Sequence, residues 1–182
     1  MSEISERFSD LAAKFTSRVD AVPDDRWESP SPCAEWTTRG VVGHMAGNRS
    51  MFLGLINREV PPGPSVEDDP RGAWANGRDA MQAALDDPAV ATTAYEGRMG
   101  SGTFEEGVSR FGFMDLVVHT WDIARSAGGD EKLEPADVHD MFEMAKPMDE
   151  MMRSPGVCGP KLEVPADADE QTQMLAFMGR QV

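Results

Sequence analysis

The feature that most constrains the fold is an apolar stripe at the start of the chain. Between Ile4 and Val22, apolar side chains recur every three or four residues, at Ile4, Phe8, Leu11, Ala12, Phe15, Val19 and Val22. This spacing puts them on one face of an α-helix, and that face has to pack against other elements to leave water. Pro23 ends the pattern. The sequence therefore predicts an amphipathic first helix that forms one side of a buried core.

Further helix signals follow, whereas strand signals are poor. A second helix begins at the threonines after Trp36, where a threonine can act as N-cap, and it fades near Asn57. A third opens at Pro70, because proline is favoured in the first turn of a helix. Residues 88–102 are predicted to be a connector, and only residues 161–164 show any of the alternation typical of a strand.

The second half of the chain predicts one long helix and two shorter ones. Thr103 and Glu106 form a capping box, in which each side chain accepts the backbone N–H of the other residue. This helix continues to the glycines at 128–129, which are a typical C-terminal stop. A fifth helix begins near Pro135, and a last short helix covers residues 170–178. The pattern predicts an all-α fold, an up-and-down four-helix bundle with short extra helices at the C-terminus.

Length, charge and cysteine content narrow the range of functions. The 182 residues are the size of one ordinary domain, so we expect a single domain over residues 1–182. The net charge of −15 repels nucleic acid and anionic membrane surfaces. The chain has no apolar run of the ~20 residues that a membrane span needs, and its start lacks a secretory signal pattern. Two distant cysteines, Cys33 and Cys158, fit a reducing cytoplasm.

Two of the three histidines lie where they could bind a ligand. On the fourth predicted helix, Asp115 lies four residues before His119 and Asp122 lies three after it, so all three line one face. Charged groups on a half-buried face need partners. A divalent metal is one such partner, because imidazole nitrogen and carboxylate oxygen are standard zinc ligands. Together with His44 from the second helix, Asp115 and His119 would supply three ligands and leave a fourth position open.

Simpler interpretations stay open on spacing alone. An aspartate four residues from a histidine is more often a hydrogen-bonded or solvated pair, and a histidine such as His44 is more often a core or rim residue. His139 is predicted to be solvated among acidic neighbours. Cys33 lies near a helix start, where thiolates are favoured, but a packed loop residue is the simpler interpretation. The methionines from Met141 to Met152 have three alternative interpretations: they fill the core, they line a ligand-binding surface, or they form a dimer contact.

Three segments resemble the motifs of one known family. The motif PCxxWTVRDLVAHL is similar to residues 32–45, PCAEWTTRGVVGHM, and the motif DLVVHGWDLARA is similar to residues 114–125, MDLVVHTWDIAR. The end of the chain, residues 166–180, resembles the ADAxxxxxLLAFLGR ending of a one-domain branch. These are motifs of the mycothiol-dependent maleylpyruvate isomerase-like proteins, part of the DinB-like superfamily. The resemblance implies a four-helix bundle with a metal ion between its helices.

The resemblance also implies roles for particular residues. His44, Asp115 and His119 fall on the metal ligands of the family, although the isomerase has a glutamate where this chain has the shorter Asp115. Asp122 either orients His119 or binds the ion itself. The isomerase carries a C-terminal domain that helps to bind its substrate, whereas this chain ends at Val182 after a short tail. That departure argues against maleylpyruvate isomerisation itself.

Two function hypotheses of different kinds follow. The first is a divalent-metal-dependent enzyme of S-transferase or isomerase type, with zinc as the expected ion, which acts on a small electrophile with mycothiol as cosubstrate. The same open position could instead activate water for hydrolysis. The second is a metal- or small-ligand-binding helical bundle without turnover, as a homodimer through the methionine-rich fifth helix. A third alternative is a bundle that has lost its metal, in which Asp115 and His119 are only hydrogen-bonded.

Overall fold

The computed structural model describes residues 2–97, 100–154 and 157–182. Its helices are α1 (Glu3–Asp20), α2 (Thr38–Leu55), α3 (Pro70–Asp86), α4 (Pro88–Ala91), α5 (Phe104–Gly107), α6 (Phe113–Ala127), α7 (Pro135–Ala145), α8 (Asp149–Met152) and α9 (Glu170–Phe177). Short 3-10 turns cover Asp24–Arg26 and Lys146–Met148, and a π-helical segment, Val108–Gly112, joins α5 to α6. Among these described helices, none combines the length and the apolarity needed to cross a membrane.

The helices begin and end close to where the sequence signals predict, except that the one long helix expected after Thr103 is divided into α5, the π-helical segment and α6. The side chains of Thr37 and Asp69 each accept a backbone N–H from the first turn of α2 and α3. Thr103 and Glu106 form the predicted capping box at the start of α5. Gly128 ends α6 in the left-handed conformation with φ 74°, which glycine adopts at little cost. These local signals explain why the helix boundaries are readable from sequence.

Four long helices enclose the core. Helix α1 packs against α3 and α6, and α2 packs against the same two helices. Phe15, Phe52, Leu116 and Ile123 are almost completely buried between them, and full burial of such a side chain contributes about 1.5–3 kcal/mol. One apolar cluster extends from these helices to α9 through Leu175. The predicted all-α helical bundle is therefore confirmed.

The region between α3 and α6 differs from the prediction. Within the expected connector, strands β1 (Ala94–Gly97) and β2 (Gly100–Thr103) form an antiparallel hairpin in which Ala94 pairs with Thr103. Tyr95 is the one buried side chain of the two strands, so the hairpin carries no alternating apolar pattern that a sequence search could detect. Residues 161–164, which do alternate, form no strand.

Candidate metal centre

Helices α2 and α6 bring three potential metal ligands together. His44 comes from α2, and Asp115 and His119 come from adjacent turns of α6. One ligand atom from each residue lies within 4.8 Å of the other two, and His44 Nε2 is 3.2 Å from Asp115 Oδ2. These three side chains lie on facing helices, as the sequence predicts, and the packing of α2 against α6 makes them converge.

The cluster opens towards the surface on one side. The side chains of His44 and Asp115 are 31% and 33% exposed, whereas that of His119 is only 7% exposed. Asn48, one turn after His44 on α2, donates an Nδ2–H hydrogen bond to Asp115 Oδ2 at 3.1 Å. The cluster therefore combines two partly exposed side chains, His44 and Asp115, with the buried His119.

The electrostatics of the cluster favour an ionised carboxylate. Burial works against ionisation of Asp115, but the hydrogen bond from His44, the charges of the two histidines and the amide of Asn48 outweigh it. Together they hold the pKa of Asp115 below its ordinary value of 3.8. The carboxylate is therefore an anion at neutral pH, which is the form that binds a cation.

Trp36 forms a wall of the site. Its ring centroid lies 4.8 Å from that of His44 and 5.9 Å from that of His119. The loop that carries Trp36 is closed by a bridge between Pro30 and Thr37, and Trp36 accepts a backbone hydrogen bond from Ser31. Trp36 lies in one of the sequence motifs, but the motif alone predicts no role for it. Asn48 follows His44 by one helical turn and shares its face, which is the signal that could have found it.

Asp122 lies behind His119 rather than among the three converging ligand atoms. Its Oδ2 atom is 2.8 Å from His119 Nδ1, and the carboxylate is completely buried. Because a carboxylate only accepts hydrogen bonds, Nδ1 is the donor in this contact, and Nε2 is the nitrogen left for a metal ion. This is the arrangement that commonly orients a metal-binding histidine. Two imidazoles and a carboxylate form a donor set that fits zinc or a similar divalent ion.

The charges of Asp122 and Arg180 influence the pKa values of both cysteine thiols, but neither thiol is activated as a nucleophile. Burial raises the pKa of Cys33, and the positive charge of Arg180 only partly opposes that effect. Burial also raises the pKa of Cys158. A protonated thiol is a poor nucleophile and a poor ligand. The structure therefore favours the interpretation of Cys33 as a packed loop residue.

A second group of potential ligands lies on the outer surface. His139 on α7 is 60% exposed, and its Nδ1 is 2.8 Å from Glu170 at the start of α9. Glu143 completes this group but already pairs with Lys146. Exposed ion pairs of this kind are common without any ligand, so the solvated His139 that the sequence predicts is the adequate description.

The fold and the cluster define a class of protein, the helical bundles with a candidate metal site between facing helices. Residues 8–124 match the family model described as the mycothiol maleylpyruvate isomerase N-terminal domain. The chain belongs to this family, whose domain is a DinB-like helical bundle, and the resemblance drawn from its motifs is thereby confirmed. Membership of this family points to a mycothiol-related, isomerase-like function.

Curated relatives carry no assigned activity. Two uncharacterized proteins of Mycobacterium tuberculosis, from strains CDC 1551 / Oshkosh and ATCC 25618 / H37Rv, are each 27% identical to the chain over 188 residues. The similarity covers 97% of this chain and 96% of each relative, so it extends beyond the family model to the C-terminal helices. No solved structure matches the chain.

Proposed function

We propose that His44, Asp115 and His119 hold one divalent metal ion, with zinc as the first candidate, and that the site serves thiol chemistry. The reaction is the transfer or addition of a low-molecular-weight thiol, with mycothiol as the thiol, to a small electrophile. The observation that carries the proposal is the convergence of three ligand atoms within 4.8 Å, from two helices, in a member of a mycothiol-related family.

The chain supplies the features that such an ion requires. His119 has its Nδ1 proton fixed by Asp122, so its second nitrogen is available. The Asp115 carboxylate is ionised at neutral pH. The partial exposure of His44 and Asp115 leaves an approach for a thiol. When bound, the ion supplies Lewis-acid chemistry, which lowers the pKa of a coordinated thiol and so favours the nucleophilic thiolate.

The surrounding side chains bind and orient rather than exchange protons. Trp36 covers the two histidine rings and restricts access of water to that side of the cluster. Asn48 fixes one oxygen of Asp115 and thereby limits its rotation. The raised pKa values of Cys33 and Cys158 keep these thiols from competing with the incoming thiol. The acceptor for the proton of the thiol is therefore solvent or the substrate.

Metal content measured by elemental analysis tests the site. Tag-free wild-type protein is compared with His44→Ala, and His139→Ala serves as the matched control because His139 belongs to the exposed group on the outer surface. We expect about one metal ion per chain in the wild type and in His139→Ala, and a loss in His44→Ala. Absence of metal from the wild type after incubation with zinc and removal of the excess would refute the proposal.

Thiol consumption tests the chemistry. Purified mycothiol and a panel of small electrophiles are offered to the metal-loaded wild type and to His44→Ala. We expect turnover that the variant lacks. A wild-type protein that binds one metal ion per chain and turns over no electrophile would overturn the catalytic part of the proposal and leave a binding protein.

A further inference from the structure

We infer that Arg180, in the C-terminal tail, is a positioning residue of the metal site, which it reaches through Asp122 and His119. The inference rests on the proposed function. It adds a residue that lies outside the segment matched by the family model, residues 8–124. The proposed metal ligands all come from α2 and α6. Arg180 would make the C-terminal tail contribute to the same site.

The three side chains form a continuous buried row. Arg180 Nη2 donates to Asp122 Oδ2 at 2.7 Å, and Arg180 Nε donates to Asp122 Oδ1 at 3.2 Å. Asp122 Oδ2 also accepts the hydrogen bond from His119 Nδ1. The side chains of Arg180, Asp122 and His119 are 8%, 0% and 7% exposed. Water therefore contributes little to any of these bonds, and each group depends on the next.

The tail holds Arg180 in this position from several sides. Arg180 Nη1 donates to the carbonyl oxygen of Met178 at 3.0 Å, which fixes the guanidinium. Gly179 has φ 77°, and a Cβ built on it would lie 3.1 Å from backbone atoms of Gly159, so any side chain at the turn before Arg180 would be strained. Arg153 binds the carbonyl of Phe177 at 2.7 Å and anchors the end of α9.

The forked contact determines what Asp122 can do for His119. A guanidinium that binds both oxygens of a carboxylate fixes its plane as well as its charge. Asp122, held in this plane, accepts the hydrogen bond from His119 Nδ1 and fixes the orientation of the imidazole ring. The second nitrogen of His119 is then the one left for the cluster.

Substitution of Arg180 tests the inference in two independent ways. Arg180→Met removes the cation, Arg180→Lys keeps a charge without the fork, and Arg125→Met is the matched control. Arg125 is on α6 itself, three residues after Asp122, and within the described part of the chain its ion pair is with Glu131 at the surface. Zinc affinity is measured by competition with a chromophoric chelator. We expect affinity to fall by about 10–100-fold in Arg180→Met, by less in Arg180→Lys, and to stay at the wild-type value in Arg125→Met.

The second readout needs no metal. Long-range proton–nitrogen NMR spectra of protein labelled with ¹⁵N-histidine report which ring nitrogen is protonated, and spectra of His44→Ala and His139→Ala identify the signal of His119. We expect a single Nδ1–H form in the metal-free wild type and a mixture of forms in Arg180→Met. Melting temperatures of the metal-free variants are recorded alongside.

The outcomes separate this inference from the proposed function. Lower stability of Arg180→Met with unchanged zinc affinity and an unchanged His119 tautomer would overturn the inference and make Arg180 a structural residue only. A wild type that binds no zinc would refute the proposed function, while the tautomer measurement would still decide whether Arg180 positions His119. A loss of affinity of equal size in Arg125→Met would also overturn the inference, because the ion pair of that arginine is with Glu131 at the surface.

Discussion

The sharpest consequence of the proposed site is that metal should stabilise the native protein through a residue that contributes little to stability otherwise. His44 is well suited to this test because its side chain is 31% exposed and has one hydrogen-bond partner, Asp115 Oδ2 at 3.2 Å. Removal of one hydrogen bond costs about 0.5–1.5 kcal/mol net, and solvent screening of this partly exposed pair limits the additional effect of its charge. We therefore expect the metal-free His44→Ala variant to melt close to the metal-free wild type.

The metal-bound proteins should differ much more. A ligand that binds only the native state stabilises it by about 2.7 kcal/mol when it is present at 100 times its dissociation constant. For a chain of 182 residues, each kcal/mol raises the melting temperature by roughly 2–4 °C. Zinc at that concentration should thus raise the melting temperature of the wild type by about 5–11 °C. His44→Ala keeps two ligands and should lose most of this shift.

Differential scanning calorimetry measures both effects in one series. Wild type and His44→Ala are scanned after chelation and again with zinc. His139→Ala is the control, because it removes a residue of the exposed group of potential ligands instead of the proposed site. A wild-type melting temperature that is the same with chelator and with zinc would refute the reasoning. So would a zinc-induced shift that survives in His44→Ala and disappears in His139→Ala, because it would move the metal to the outer surface.

Three further predictions follow from the structure. Cys33→Ser should keep both metal content and thiol turnover, because burial raises the pKa of Cys33; loss of turnover with metal retained would make Cys33 the nucleophile. The pKa of His139, measured by NMR, should lie above 6.5 and fall in Glu170→Gln. The contribution of this ion pair to the free energy of unfolding is then fully present below pH 6.5 and is lost as the pH rises through the raised pKa. Gly179→Ala should destabilise the protein by more than about 1 kcal/mol in denaturant unfolding, given its φ of 77°.

The fold was largely predictable because its signals are local. The stripe on α1, the N-cap Thr37 and the first-turn Pro70 are each contained in a few consecutive residues, and each acts in the structure as expected. Asp115 and His119 were predicted to share a face because the helical period alone decides that. Their approach to His44 needed the additional expectation that α2 packs on α6.

What could not be predicted depends on contacts between distant segments. Arg180 and Asp122 are separated by 58 residues of sequence, and no local pattern at either residue predicts that their side chains are in contact. The β1–β2 hairpin buries little beyond Tyr95, so its sequence has no period. The single domain over residues 1–182 and the homodimer through the methionine-rich helix stay predictions; Met141 and Met152 are buried in the core, whereas Met151 is 43% exposed.

The π-helical segment Val108–Gly112 has a consequence for how this site could arise and be lost. A π turn holds one residue more than an α turn, so it absorbs an extra residue in a helix that is otherwise continuous. In a helix of 3.6 residues per turn, one residue corresponds to a rotation of about 100°. An extra residue kept in α geometry would turn Asp115 and His119 away from α2, whereas the wide π turn absorbs it and leaves both side chains facing α2. The direction in which α6 presents these two side chains therefore depends on the π geometry of the five residues before it.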